Sequence, residues 1–312
     1  MSKVSVIGAG NVGATAVYYI AEKNIADIVM VDVVSGMPQA KAHDFMHAAP
    51  SRRYNVTIVG SNQYEAIADS DVIVMTAGMA RKPGMDRMDL LKTNVGIAKQ
   101  AAQAIATYAP NALVIAVSNP LDVIAMVTLR ESGFALKRVV GMAGILDSTR
   151  FRYFIAEKLG VLPQDVMAMV LGGHGDTMVP LPRYTSVAGF PLTELMDAEA
   201  IESLVDRTRK GGAEIVSYLK KGSAFYAPAA SVAKMVEAMI KDEKRFVAAS
   251  AYLRGEYGHR DIFLGVPVLL GRNGVEKIYE LELSEHERSE LDRSAEAVQE
   301  GVKTLETIYS PG

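Results

Sequence analysis

Gly8-Ala9-Gly10-Asn11-Val12-Gly13 is the stretch that decides the fold. In front of it runs Val4-Ser5-Val6-Ile7, which reads as a short strand. Behind it Val12–Lys23 reads as an Ala-containing helix, and a second strand-like run, Ile28–Val31, ends in Asp32. Strand, glycine turn, helix and acid-tipped strand in succession set a pyrophosphate against a helix N-terminus and a carboxylate against a ribose. Gly8 suits the tight turn, Gly10 a close backbone approach to the anion, and Gly13 close packing of helix on strand. Ala9, Asn11 and Val12 complete the dinucleotide-binding turn. The Asp32 charge repels a 2′-phosphate, and Val33, Val34 and Ser35 after it supply no cation. The expected cofactor is therefore NAD rather than NADP, with FAD, which uses the same fingerprint, as a minor alternative. A glycine turn alone is common; the surrounding strand–helix–strand gives this one its weight.

Further along, short Val/Ile-rich runs recur at Val56–Val59, Val72–Met75, Leu113–Val117 and Arg138–Val140. Helical stretches lie between several of them, at Thr93–Tyr108 and Leu121–Glu131. Uninterrupted apolar strands joined by crossover helices predict a Rossmann-type, doubly wound parallel sheet of α/β class. The second half reads as α+β. Helices are expected at Arg150–Leu159, Ala198–Lys220 and Ala229–Ile240, and strands at Val166–Leu171, Phe246–Tyr252, Phe263–Leu270 and Glu276–Glu280. Ser284 and Glu287 have capping-box spacing, and Leu291, Ala295, Val298, Val302 and Leu305 then form one helical apolar stripe, which reads as core. The change of pattern puts a domain boundary near Gly144, giving an NAD-binding domain at 1–143 and a catalytic, substrate-binding domain at 144–312.

Composition narrows the function. The 312 residues are 49% hydrophobic and 22% charged, enough for a sizeable core and too apolar for disorder. A net charge of −3 supplies neither a basic footprint for nucleic acid nor a polybasic membrane signal. With 0 cysteines, disulfides, Cys-ligated zinc, iron–sulfur clusters and thiol nucleophiles are all excluded. No metal is expected. The N-terminus lacks the pattern of an export signal and no apolar run approaches a membrane span, so a cytoplasmic location is the expectation.

Three segments carry unusual polar residues. Ala77–Arg87 follows the fourth strand and should overhang the carboxyl edge of the sheet, where such sheets bind ligands. Gly78, Pro83 and Gly84 mark it as a loop, from which Arg81 and Arg87 can reach an anionic substrate or simply face solvent. In Leu146-Asp147-Ser148-Thr149-Arg150, Asp147 and Arg150 share one face of a helix start. Arg150 has the planar fork for a carboxylate; the plainer reading is a helix cap beside a surface Arg. In Gly172-Gly173-His174-Gly175-Asp176, the imidazole stands among small residues and suits acid–base work near neutral pH, with Asp147 the candidate to orient it; the plainer reading is a structural histidine. His43, His47, His259 and His286 have no comparable setting.

Taken in order, these segments together with Val117-Ser118-Asn119-Pro120 resemble the lactate/malate dehydrogenase family. Within it the chain is most similar to the lactate-dehydrogenase-like malate dehydrogenases of bacterial type, over essentially its whole length. The resemblance implies that His174 accepts the substrate hydroxyl proton while hydride passes to the nicotinamide, and that Asp147 orients His174. It implies that Arg150 clamps the substrate carboxylate, that Arg87 polarises the carbonyl oxygen, and that Asn119 hydrogen-bonds the substrate. It also places Asn94, Val117, Ser118 and Asn119 beside the cofactor, and makes Asn119–Pro120 a cis bond. In lactate enzymes of the family the position of Arg81 is commonly Gln. An Arg there suits a second carboxylate, so the implied reaction is reversible oxidation of (S)-malate to oxaloacetate. The Gly222-Ser223-Ala224-Phe225-Tyr226 segment also differs from the usual lactate-enzyme sequence, which agrees with that reading. The family also implies a homo-oligomer, dimer or tetramer.

Rival readings are a lactate or other 2-hydroxy acid dehydrogenase, an NAD-dependent glycosidase of related fold, and an NAD-binding sensor with a dead site. The glycosidases use a Cys/His-held metal, against which the missing cysteines and Arg150 speak; the sensor predicts a gap among the polar residues, and none is missing.

Overall fold

The computed structural model describes residues 1–79 and 87–309, with Arg87 and Tyr309 by their backbone alone. Ser2–Ile7 forms β1, Asn11–Glu22 forms α1 and Ala26–Val31 forms β2, so the glycine stretch does turn one strand into a helix and back. Met37–Arg52 (α2), Ile58–Ser61 (β3), Val72–Met75 (β4), Arg87–Tyr108 (α3), Leu113–Ala116 (β5), Leu121–Ser132 (α4) and Val139–Gly141 (β6) complete the first half. The six strands lie parallel in the order β3-β2-β1-β4-β5-β6. Every residue of β4 and of β5 is buried, which is why their sequences carry no polar alternation: helices cover both faces. The strand order reverses direction between β1 and β4, and the crevice over their carboxyl ends is where doubly wound sheets bind ligands.

The second half comprises Gly144–Leu159 (α5), Val166–Met167 (β7), Val170–Leu171 (β8), Val179–Pro180 (β9), Ser186–Val187 (β10), Phe190–Pro191 (β11), Leu192–Leu195 (α6), Ala198–Leu219 (α7) and Tyr226–Ile240 (α8). It ends with Arg245–Arg254 (β12), Arg260–Gly271 (β13), Gly274–Ile278 (β14) and Glu285–Tyr309 (α9). β12 lies antiparallel on β6 through Ser250 and Gly141, β13 on β12, and β14 on β13. One nine-stranded sheet therefore crosses the boundary expected near Gly144. The run Val166–Leu171, read as one strand, is two: β7 joins a three-stranded sheet with β10 and β11, and β8 pairs with β9.

α2 has no counterpart among the expected elements. It buries only Pro38 and Ala42 and contains Pro50, so it presents neither a helical apolar stripe nor an uninterrupted helical sequence. Its start rests on β3 at Gly60, where a Cβ would fall 2.2 Å from the Pro38 carbonyl oxygen. α9 follows its sequence closely. The Ser284 amide donates to the Glu287 carboxylate (2.8 Å) and the Glu287 amide to the Ser284 hydroxyl (3.2 Å), both halves of a capping box. Leu291, Ala295, Val298 and Leu305 of its stripe are buried. Among the described residues no helix is long and apolar enough to cross a membrane, and no group of three His, Cys, Asp or Glu side chains is placed to hold a metal.

Candidate active site

The glycine turn is shaped by contact. Gly8 has φ +108°, and a Cβ there would lie 2.6 Å from the Ala77 nitrogen at the root of the loop after β4. At Gly13 a Cβ would stand 1.9 Å from the Gly8 carbonyl oxygen, so helix and turn approach only because both are bare. Gly10 differs: a Cβ would meet nothing within 4 Å, and no side chain caps α1. Open space over an uncapped helix N-terminus fits a pyrophosphate. Asp32 accepts from the Ala9 amide (2.7 Å) and the Val34 amide (2.9 Å), which locks its carboxylate beside the turn with lone pairs to spare for ribose hydroxyls. Lys41, unnoticed in the sequence, reaches the same turn from α2 and donates to the Ala9 carbonyl (2.5 Å).

The loops after β4 and β5 are tied together. Buried Asn94 on α3 accepts from the Met79 amide (2.7 Å) and donates to the Asn119 carbonyl (2.9 Å). Ser118 donates to the Ala77 carbonyl (2.7 Å), Val117 packs against the core, and the Asn119–Pro120 bond is cis. Arg81 lies outside the described residues, as does the Arg87 side chain; the Arg87 backbone opens α3.

His174, Asp147 and Arg150 come together. The His174 Nδ1 lies 2.9 Å from Asp147 Oδ2, and Arg150 Nη1 donates to Asp147 Oδ1 over 3.1 Å. One buried carboxylate is thus shared by an imidazole and a guanidinium. Burial of His174 opposes its charge, and Arg150 adds to that; the Asp147 charge and hydrogen bond outweigh both, so the imidazole pKa is raised. With Nδ1 engaged, Nε2 is the nitrogen left for a substrate proton. Arg150 is mostly buried, and its buried Nε has no hydrogen-bond partner.

The loop bearing His174 is held amide by amide. Gly172 exchanges backbone hydrogen bonds with Gly265 of β13 (2.9 and 3.1 Å). The Gly173 amide donates to Ser294 Oγ of α9 (2.8 Å), and the His174 amide to Asp122 Oδ2 of α4 (3.2 Å). Ser250 of β12 donates to the other Asp122 oxygen (2.6 Å). Burial pushes the Asp122 carboxyl up, against the pull of those two donors. Asp122, Ser250 and Ser294 escaped the sequence reading. The one signal was an acid in the first turn of α4, which looks like an ordinary partner for the helix dipole.

Comparison with known proteins agrees with this geometry. Residues 2–141 match the model for the lactate/malate dehydrogenase NAD-binding domain, and residues 145–308 match the model for the alpha/beta C-terminal domain of the same family. The chain belongs to the lactate/malate dehydrogenase family. As a member of that family it is an oxidoreductase with an NAD-binding Rossmann domain. The chain is 54% identical to a malate dehydrogenase of Chlorobium phaeobacteroides, over 99% of itself and 100% of that relative. The malate dehydrogenase from Picrophilus torridus, solved in its apo form, superposes with a TM-score of 0.96 at 44% identity, covering 99% of this chain and 98% of that one. A lactate dehydrogenase of Cryptosporidium parvum, complexed with lactic acid and nicotinamide adenine dinucleotide, reaches a TM-score of 0.94 at 40% identity, covering 100% and 99%. Lactate and malate members of the family thus both share this backbone.

Proposed function

We propose that the chain is an NAD-dependent malate dehydrogenase, interconverting (S)-malate and oxaloacetate. The observation that carries the chemistry is the Asp147 carboxylate divided between His174 and Arg150. Neutral His174 takes the malate hydroxyl proton at Nε2, and Asp147 stabilises the imidazolium that results. Arg150 holds the carboxylate beside the reacting carbon with the N–H groups Asp147 leaves free. NAD, when bound, supplies the acceptor for the hydride leaving the same carbon. Gly8, Ala9, Gly10, Asn11, Val12 and Gly13 cradle its pyrophosphate, Asp32 takes its ribose, and Asn94, Val117, Ser118 and Asn119 line its course. Arg87 and Asn119 address the reacting oxygen.

The choice of malate rests on Arg81 and on full-length relatives named malate dehydrogenase. A second carboxylate desolvated without a partner is costly, so Arg81 favours a dicarboxylate. The family's other activity, on lactate, is the competing reading. NADH oxidation with oxaloacetate and pyruvate side by side separates the two: oxaloacetate is strongly preferred on this reading, and preference for pyruvate overturns the role of Arg81. His174→Asn is expected to bind NADH as before and lose turnover; equal turnover removes His174 from the chemistry. We further infer a cytoplasmic homo-oligomer, tested by cell fractionation and light scattering. The functional division falls near Gly144, with cofactor before it and most substrate chemistry after.

A further inference from the structure

α7 carries two adjacent glycines, Gly211 and Gly212, in the interior of a 22-residue helix. Each costs roughly 1 kcal/mol of helix stability relative to Ala. Neither takes a positive φ, so the backbone does not require them. Arg150 lies against them. A Cβ on Gly211 would stand 3.0 Å from Arg150 Cδ and 3.6 Å from both Arg150 Nε and Phe154 Cε2; a Cβ on Gly212 would meet only Arg150 Nη2, at 3.9 Å. The first contact is tighter than carbon atoms ordinarily accept, and the second is ordinary van der Waals distance. The Arg150 stem therefore runs through the gap left by Gly211, and its head is held on the other side by Asp147.

We propose that Gly211 is a positioning residue: its missing side chain fixes the Arg150 stem so that the guanidinium sits on Asp147 with its remaining donors turned to the substrate carboxylate. The carboxylate half of this statement rests on the proposed function; the Arg150–Asp147 half does not. A methyl at Gly211 displaces Cδ by a few tenths of an ångström and swings the guanidinium off both partners. A methyl at Gly212 displaces nothing.

The test compares Gly211→Ala with Gly212→Ala in the full-length protein. Both remove a helix-interior glycine and should keep NADH affinity. Gly212→Ala should hold or raise the melting temperature, and Gly211→Ala, which also loosens the buried Arg150–Asp147 pair, should melt below Gly212→Ala. Gly211→Ala alone should raise the KM for oxaloacetate roughly five- to fiftyfold with kcat within about twofold, since ground and transition states lose the same carboxylate contact. NMR titration gives a readout independent of substrate. Arg150 opposes protonation of His174, so withdrawing it in Gly211→Ala shifts the His174 titration to higher pH, while Gly212→Ala leaves it in place. In an Arg150→Ala background, which has no Cδ, Gly211→Ala should lower kcat/KM by less than about twofold further, because the crowded group is gone. If oxaloacetate is not a substrate but the His174 shift appears, the proposed function fails and the positioning stands. If neither KM nor the His174 titration moves, or if both variants move them equally, Gly211 does not position Arg150.

Discussion

At the scale of the residue, Asp147 connects two duties. It holds His174 in one tautomer and receives Arg150, so the proposed base and the proposed carboxylate clamp share one charge. Burial lowers the pKa of His174, and the Asp147 charge and hydrogen bond outweigh it, so the net shift is upward. Oxaloacetate reduction needs the imidazolium and should decline as pH rises through that raised value; malate oxidation needs the neutral ring and should rise through it. Asp147→Asn removes the raising charge, so both profiles should move to lower pH, with kcat down by roughly two to four orders of magnitude. The same pair bears on stability. A group whose pKa is raised on folding stabilises fully below its unfolded value, about 6.5 for histidine. That contribution is lost as pH climbs through the folded value, so the wild type should lose stability relative to Asp147→Asn above neutrality. Thermal melts across pH check the sign; a gap that widens upward contradicts the assignment of the shift to Asp147.

At the scale of the element, local signals and long-range ties part company. α9 is announced by Ser284 and Glu287, whose reciprocal hydrogen bonds form as their spacing predicts. Ser284→Ala should therefore cost about 1 kcal/mol in denaturant melts. Because α9 also carries Ser294, fraying at its start should weaken the hold on the His174 loop little, ten residues away along the chain, and kcat should stay near wild type. The turn from β1 into α1 is equally legible, since Gly13 meets the Gly8 carbonyl within the same motif, although Gly8 itself packs on distant Ala77. α2 is not, because its helix is held by packing on β3 rather than by an apolar stripe, and β3 itself begins two residues later than its hydrophobic run. The site divides the same way. His174, Asp147 and Arg150 stand out as polar residues in small-residue or helix-start settings. Asp122 lies 52 positions from His174, and Ser294 lies 121 from Gly173. Nothing local distinguishes either from any other helical Asp or Ser, and a single sequence contains no pairing information to find them.

At the scale of the whole molecule, chemistry and packing divide the chain differently. The match to the family's NAD-binding domain ends before Gly144, and His174, Asp147 and Arg150 lie after it, yet one sheet and one core run through both. Val4, Val6 and Ile28 of the first half and Val232, Leu264 and Val266 of the second belong to the same buried cluster, and β12 covers the edge that β6 would otherwise expose. His174 depends on that continuity: its loop is tied to α4 from one half and to β13 and α9 from the other. Halves that share a core cannot lose it separately, so the chain without ligand should unfold in one transition, with calorimetric and van't Hoff enthalpies agreeing for the unfolding unit. Near-ultraviolet and far-ultraviolet signals should lose amplitude together. A fragment of residues 1–143 should in turn expose the β6 edge and part of the cluster, and be poorly soluble. Two resolved transitions, or a soluble cooperative fragment, would show instead that the sheet is a seam between independent domains, and that the grip on His174 from both sides is assembled only after each has folded.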